Sequence, residues 1–155
     1  FNAVLPAVSH LRERIETSVR NWEVVPEIVD SRDNDKTFSK AHAALAASGT
    51  VALQLALHRV PMTLAYKLDP VARPFGFLIT AWSTALPNLV AGWPLVPEDV
   101  NESVSPERMG RTLRRLLSDT PERAAQLAGF ETVINNMKTK RTPAEAAADV
   151  IMDHI

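Results

Sequence analysis

Three small residues, Ser48, Gly49 and Thr50, lie between two apolar runs in a chain that contains only five glycines. Glycine has no Cβ, so an anion can approach its backbone, and two hydroxyls can donate to phosphate oxygens. If the triplet joins a strand to a helix, the first N–H groups of that helix are available to a phosphate. A simple helix cap with a turn is the alternative interpretation, because the triplet lacks the spacing of a Walker loop or a GxGxxG fingerprint.

The elements around this triplet are those of an α/β protein. Short apolar runs predict strands, and apolar residues recurring every three or four positions predict helices. The predicted strands cover residues 3–5, 24–29, 42–47 and 61–66, and the predicted helices cover residues 8–22, 33–40 and 51–58. Such alternation predicts a parallel sheet with helices on both faces. Ligands of such sheets bind beyond the carboxyl ends of the strands, which is where the triplet lies.

Three further helices are predicted after residue 104, because a hydroxyl residue precedes a proline at three places. Each pair, Ser105-Pro106, Thr120-Pro121 and Thr142-Pro143, offers an N-cap oxygen, a proline at the first helical position and an acid soon after. Nothing repeats at a fixed period between them, which excludes a solenoid. We expect one domain, in which residues 1–104 form the α/β region and residues 105–155 a helical segment.

Composition excludes several classes of function. The 155 residues are enough for one hydrophobic core, and 17 basic against 18 acidic residues give a net charge of −1, which does not favour nucleic acid. The absence of cysteine excludes disulfides and thiolate chemistry and is compatible with the cytosol. No metal site is predicted, because no two histidines have the spacing of a ligand pair; they are His10, His42, His58 and His154. The chain opens on an apolar run without an initiator methionine, so we expect a piece of a longer protein.

Several short motifs, in a fixed order, resemble one family. The stretch ALAASGTVALQLALHRVPMTLAYKLDP is followed by TALPNLVAG and then by VPEDV. The order of SGT, PM, AYK, LPNL and PE closely resembles the C-terminal half of lipid-A-disaccharide synthases, and the likeness runs in register from about Phe1 to the 150s. These bacterial glycosyltransferases have two facing Rossmann-like domains, the arrangement called GT-B. The family's acceptor half and its GSR-type arginine motif have no counterpart here.

The resemblance implies a reaction and its partners. An inverting transfer would move diacylglucosamine from its UDP donor, bound by residues 1–104, onto diacylglucosamine 1-phosphate, forming a β-1,6-linked lipid A precursor and releasing UDP. The family uses no metal or other cofactor, so protein groups must stabilise the leaving diphosphate. The enzyme would act at the cytoplasmic face of the bacterial inner membrane. Because half of the cleft is absent, we expect the chain alone to bind UDP weakly and to be inactive.

The resemblance also assigns substrate-binding positions, although it assigns no catalytic residue. Ser48, Gly49 and Thr50 would bind the leaving diphosphate. Gln54 stands where the family usually has a glutamate for the ribose, so a charged hydrogen bond worth about 1.5 to 3 kcal/mol becomes a neutral one worth about 0.5 to 1.5 kcal/mol. Asn88 aligns with a donor-site asparagine, and closing a turn after a proline is the alternative role.

Further positions carry two interpretations each. Glu98 would either fix the loop around Asn88 or serve as an acid in the first turn of a helix. Tyr66 and Lys67 follow the fourth predicted strand and so would lie near the ligand, unless Tyr66 is a buried residue with its hydroxyl at the rim. Trp93 replaces a residue that is commonly arginine. Together with Gln54 it motivates a second hypothesis, a non-catalytic Rossmann-like module with a degenerate site.

Two apolar surfaces are further candidates for contact. Residues 74–97 are uncharged, but prolines divide them into runs shorter than the roughly 20 residues of a membrane-spanning helix. Beside Arg73 they hold a cluster that would lie on a membrane surface, line an acyl groove or pack in the core; its members are Phe75, Phe77, Leu78, Ile79 and Trp82. The C-terminal helices would support a homodimer if their apolar residues are uncovered; these are Val133, Ile134, Val150 and Ile151.

Overall fold

The computed structural model describes residues 1–47, 49–67, 81–139 and 142–153. Its strands are β1 (Val4–Ala7), β2 (Glu27–Asp30), β3 (Ala44–Ala46), β4 (Met62–Tyr66) and β5 (Glu98–Val100). Its helices are α1 (Arg12–Val19), α2 (Asn34–Phe38), α3 (Thr50–Leu57), α4 (Leu86–Ala91), α5 (Pro106–Leu117), α6 (Pro121–Met137) and α7 (Pro143–Met152). The elements predicted before residue 67 are confirmed, with shifted ends. The sequence patterns did not predict α4 or β5.

The strands pair in two parallel ladders. β1 pairs with β2, and β4 lies between β3 and β5 in a three-stranded sheet. In that sheet Ala46 is opposite Leu64, and Leu64 is opposite Glu98. Parallel strands flanked by helices confirm the predicted Rossmann-like α/β class. Among the described residues, no ladder joins the first pair of strands to the three-stranded sheet, so the expected sheet is divided in two.

The three-stranded sheet is covered by helices on both faces. Met62 and Leu64 point to the same side of β4 and are fully buried in a core that α3, α4 and α6 complete, with Phe130 as its largest fully buried member. Phe38 of α2 joins this core from the first half of the chain. α5 contacts β3 and β4, and its Leu116 is buried outside that cluster, so α5 covers the opposite face.

The three predicted N-caps after residue 104 are confirmed. The hydroxyl oxygens of Ser105, Thr120 and Thr142 accept hydrogen bonds from the backbone N–H three residues later, at 3.2 to 3.3 Å. In α7 the Glu145 carboxylate also accepts from the Thr142 N–H at 2.9 Å, which completes a capping box. Each such cap is worth about 1 kcal/mol, so the three helix starts are fixed locally.

The C-terminal helices differ in how much apolar surface they leave uncovered. Val133 is fully buried, so the prediction that it would be uncovered is wrong; it lies one turn after Phe130 on the face of α6 that packs into the core. Ile134 is half-buried. Val150 and Ile151 of α7 are exposed, as predicted. Within the described ranges, no helix is long and apolar enough to cross a bilayer.

Helix α6 is fixed to the sheet by a buried side-chain amide and a glycine. The Gln126 Oε1 accepts from the Met62 N–H at 2.8 Å, and its Nε2 donates to the Met62 carbonyl at 3.0 Å. One turn later Gly129 faces Leu95, and a Cβ added at Gly129 would lie 2.2 Å from the Leu95 Cδ1. The absence of a side chain at Gly129 therefore allows α6 to approach the 94–97 segment.

We expect Gly129→Ala to lower the free energy of unfolding by about 1 to 3 kcal/mol, because the overlap with Leu95 exceeds the gain in helix propensity. The matched control is Gly110→Ala in α5, where an added Cβ meets no described atom within 4 Å. That control should raise the free energy of unfolding by about 0.5 to 1 kcal/mol. Urea unfolding followed by circular dichroism measures both, and equal stabilisation by the two substitutions would contradict the close approach.

Candidate functional site

The connection from β3 to α3 depends on the backbone of Gly49. Its φ of +128° and ψ of −157° belong to a region that residues with a side chain rarely adopt. An added Cβ would meet no described atom within 4 Å, so the conformation, and not crowding, requires glycine here. Ala52 N–H donates to the Gly49 carbonyl at 3.2 Å, which leaves the N–H groups of Thr50 and Val51 before the first intrahelical bond.

Two predicted ligand-binding residues share the outer side of α3. Thr50 and Gln54 are one turn apart and both exposed, whereas Ala52 and Leu55 of the same helix are buried. Ser48 is a predicted site residue that lies outside the described residues. Gly49, Thr50 and Gln54 thus form an accessible stripe that begins at the carboxyl end of β3.

Glu98 is the centre of a hydrogen-bonded network beside the neighbouring strand. Its Oε1 accepts from the Ser83 hydroxyl and from the Asn88 Nδ2 at 3.0 Å. Its Oε2 accepts from the Thr84 N–H at 3.2 Å and the Thr84 hydroxyl at 2.8 Å. Partial burial alone would raise the pKa of Glu98, but these donors outweigh it and hold the pKa below its ordinary value. Glu98 begins β5, so the prediction of a first-turn helical acid is wrong, and the carboxylate fixes the loop around Asn88.

Tyr66 extends this network to the end of β4. Its hydroxyl makes a short hydrogen bond with the Thr84 hydroxyl. The single hydrogen of the Thr84 hydroxyl is directed at Glu98, so the Tyr66 hydroxyl is the donor to Thr84. Tyr66 is half-buried, and Lys67 after it is exposed.

Asn88 is buried, and its side-chain amide is hydrogen-bonded to other groups of the protein. It is only 1% exposed. Its Nδ2 donates to the Val96 carbonyl and to Glu98, both at 3.0 Å, and its Oδ1 accepts from the Val96 N–H at 2.7 Å. α4 ends four residues later at Gly92, whose φ of +86° is the left-handed conformation of a helix C-terminus. Asn88 therefore joins α4 to the segment before β5, and direct contact with a donor stays a prediction.

The network forms one wall of an open cleft of about 720 Å³. Clefts of roughly 300 to 1,000 Å³ are usual for small-molecule sites. The cleft combines polar and apolar lining; the apolar part includes Trp82, Pro94, Leu95, Pro97 and Val100. Trp82 is 57% exposed at its rim, whereas the other members of the predicted apolar cluster, Phe75, Phe77, Leu78 and Ile79, lie outside the described residues.

The structure brings the predicted site residues together in two groups. Tyr66, Asn88 and Glu98 share one network, and Gly49, Thr50 and Gln54 lie at the exit of the adjacent strand. Sequence reasoning missed Ser83 and Thr84, which connect the first group; two adjacent hydroxyl residues inside an otherwise apolar segment were the available signal. In the described part of the chain, no three histidine, aspartate or glutamate side chains come together as metal ligands.

We expect Glu98→Gln to lower the free energy of unfolding by about 1 to 3 kcal/mol near neutral pH, because an amide cannot accept from all four donors. A carboxyl group with a lowered folded-state pKa stabilises the protein above its unfolded pKa, and this stabilisation is lost as the pH falls through the folded value. The difference between wild type and variant should therefore shrink below about pH 4. Urea unfolding from about pH 7 to about pH 3 measures it.

The control for this substitution is Glu23→Gln, at an exposed glutamate before β2. It should change the free energy of unfolding by less than about 0.5 kcal/mol. If the difference in the free energy of unfolding between wild type and Glu98→Gln stays constant over the whole pH range, the charge of Glu98 is not the cause of the stabilisation.

Comparison with known proteins gives a consistent result. The family model described as lipid-A-disaccharide synthetase matches residues 1–152. Lipid-A-disaccharide synthase of Rhodopseudomonas palustris strain HaA2 is 42% identical over 153 residues, which are 97% of this chain and 39% of that protein. The enzyme so named from Gluconobacter oxydans is 36% identical over 153 residues, 97% of this chain and 37% of that protein. The chain thus spans about two-fifths of the length of these relatives, and it belongs to the lipid-A-disaccharide synthetase family.

Proposed function

We propose that this chain is the donor-binding portion of a lipid-A-disaccharide synthase. The complete enzyme would transfer diacylglucosamine from UDP-2,3-diacylglucosamine to 2,3-diacylglucosamine 1-phosphate, with inversion at the sugar carbon. Membership of the family over almost the whole chain supports this assignment. The acceptor site and the catalytic base would belong to the part of the enzyme that this chain does not cover, so the chain alone would be inactive.

The observation that carries the proposal is the conformation of Gly49 at the carboxyl end of β3. It starts α3 without a side-chain cap, so no capping side chain is bonded to the first N–H groups of the helix. Negative charge grows on the leaving diphosphate during transfer, and N–H donors that are already oriented stabilise that charge. In this proposal Ser48, Gly49 and Thr50 bind the diphosphate and Gln54 accepts from the ribose.

The Glu98 network would act on the donor through the shape of the cleft. Asn88 and Glu98 hold the segment before α4 against β5, and Tyr66 lines the cleft beside them. We assign Tyr66 to direct contact, and Asn88 and Glu98 to positioning that contact. Residues 1–104 would form the donor-binding region, and residues 105–155 would be a helical segment of the same domain.

Titration with UDP, followed by NMR chemical shifts of the backbone amides, tests this proposal. We expect millimolar affinity, with shifts confined to residues 49–54 and to the Tyr66 side of the cleft. We also expect Gln54→Glu to tighten binding about fivefold, because it restores a charged acceptor for the ribose. The absence of shifts at millimolar UDP would instead support a non-catalytic module kept for assembly.

The matched control adds the same negative charge at a distant exposed position, as Asn21→Asp. It should leave the dissociation constant for UDP unchanged. Equal or weaker binding by Gln54→Glu, with an unchanged control, would remove Gln54 from the ribose site.

We further propose two contacts outside the donor site. The exposed Trp82 supports contact of the cleft rim with a membrane surface, where indole rings are favoured. Val150, Ile151 and Met152 are 61 to 71% exposed on α7, and this apolar surface supports a homodimer formed through the C-terminal helices. The membrane contact would place the enzyme at the cytoplasmic face of the inner membrane.

We expect Trp82→Ala to reduce co-sedimentation with neutral phosphatidylcholine vesicles by at least about half. Neutral vesicles are used so that co-sedimentation reports insertion of the indole ring and not attraction between charged groups. The matched control is Trp22→Ala, because Trp22 is a similarly exposed tryptophan, at 55%, that does not line the cleft. Equal sedimentation of the wild type and both variants would dispose of the proposed contact.

A further inference from the structure

Helix α5 carries a concentration of positive charge that the proposed function does not use. Four arginines lie within its twelve residues, with Glu107 as the only acid, so the helix has a net charge of +3 in a chain of net charge −1. The four line a shallow groove of about 480 Å³, called here the arginine groove. They are Arg108, Arg111, Arg114 and Arg115.

The helical spacing explains why these side chains meet. Arg108, Arg111 and Arg115 are separated by three and four positions, and Arg114 lies three positions after Arg111. Residues at these separations are neighbours on one side of a helix. The opposite side of α5 carries Leu116, which is buried against the sheet, so the arginines face outward.

The arginine groove shares no lining residue with the cleft, although Glu122 of the cleft pairs with Arg115 at one end of the groove. α5 covers the face of the sheet opposite α3 and α4, whereas the cleft lined by Tyr66 lies on the side of α4 and α6. The groove continues from Arg115 to Thr120, where α6 begins. Gly49 and Thr50 do not line it.

Two of the four guanidinium groups are held by acids. The Arg108 Nε lies 2.8 Å from the Asp99 Oδ1, in an alignment that makes an ion pair and not a directed hydrogen bond. The Asp99 side chain is only 3% exposed, so this contact anchors Arg108 to β5. Arg115 forms an ion pair with Glu122 at the start of α6. These pairs fix the two ends of the groove.

The other two guanidinium groups, those of Arg111 and Arg114, pair with no carboxylate in the described ranges. The nearest acid on α5, Glu107, accepts a hydrogen bond from the Ser105 hydroxyl at 2.9 Å. Hydrogen bonds from its own backbone N–H and from Ser105 lower the pKa of Glu107, and the Arg111 charge helps to lower it without a salt bridge between the two charged groups. Arg111 and Arg114 therefore present planar donors to solvent between two anchored neighbours.

The hydroxyl groups that line the groove are already engaged as donors. Thr112, Ser118 and Thr120 donate to backbone carbonyls of α5 at 2.8 to 3.2 Å. A ligand in the groove would thus meet guanidinium donors and hydroxyl lone pairs only. Such a lining attracts an anion, and paired planar donors match the oxygens of a phosphate group in a bidentate manner.

We propose that the arginine groove binds the phosphate group of a ligand, at a site independent of the UDP donor site. Arg111 and Arg114 bind the phosphate oxygens, and Arg108 and Arg115 supply charge from fixed positions. The phosphate has two sources, a soluble phosphorylated compound or the headgroup of a phospholipid.

The test compares two double variants that remove the same charge. Arg111→Gln with Arg114→Gln alters the groove, and Arg14→Gln with Arg20→Gln removes two exposed arginines at α1. Calorimetry with inorganic pyrophosphate reports the soluble source, as the part of the binding that the groove variant loses and the donor site does not supply, and co-sedimentation with phosphatidylglycerol vesicles reports the lipid source. We expect at least one probe to bind wild type, and the groove variant to bind it about tenfold more weakly. The α1 variant should bind within about twofold of wild type.

The two probes separate the outcomes. Binding of pyrophosphate alone identifies a soluble ligand, and binding of vesicles alone identifies a lipid headgroup. Equal losses in both double variants would overturn the proposal, because they would show attraction to net charge only, and so would the absence of binding to either probe. Chemical shifts of residues 49–54 with UDP should be the same in wild type and the groove variant, so failure of this site does not bear on the donor site.

Discussion

The carboxylate of Glu98 accepts four hydrogen bonds from the segment that precedes and begins α4, and the shape of the cleft depends on these bonds. They tie two buried polar side chains, Ser83 and Asn88, to the first residue of β5. Hydrogen bonds to an ionised group are worth about 1.5 to 3 kcal/mol each, more than those between neutral groups. Without the carboxylate, buried donors would be left unpaired at a cost of about 1 to 3 kcal/mol each. The ionised state of one side chain therefore maintains one wall of the site.

The two groups of site residues, at the carboxyl ends of β3 and β4, owe their geometry to different physical causes. At the exit of β3 the geometry comes from the backbone, because Gly49 adopts a conformation that other residues rarely adopt. At the exit of β4 it comes from side chains, through Tyr66, Thr84 and Glu98. On the backbone side no side-chain cap binds the first N–H groups of α3, whereas the side-chain side satisfies its own polar atoms internally. The side-chain side thus provides a rigid boundary.

Local patterns in the sequence were sufficient for much of the fold. The hydroxyl and proline pairs that start α5, α6 and α7 act within one helical turn, so residue order alone specifies them. The same holds for the first four strands, each of which contains a short apolar run. β5 was missed because only Val100 of its three residues is apolar, and α4 because six residues are too few for a helical period to repeat. The burial of Val133 and the Glu98 network depend on contacts between residues distant in sequence, which no spacing rule encodes.

The side-chain amide of Gln126 takes the place of a strand partner for Met62, since it satisfies both the donor and the acceptor of that residue. A helix bonded in this way cannot slide along its axis or rotate without breaking both bonds, and Gly129 in contact with Leu95 limits it further. α6 and β4 consequently move as a single rigid block. Both boundaries of the cleft are thus held by hydrogen bonds, the α6 side through Gln126 and the opposite side through Glu98.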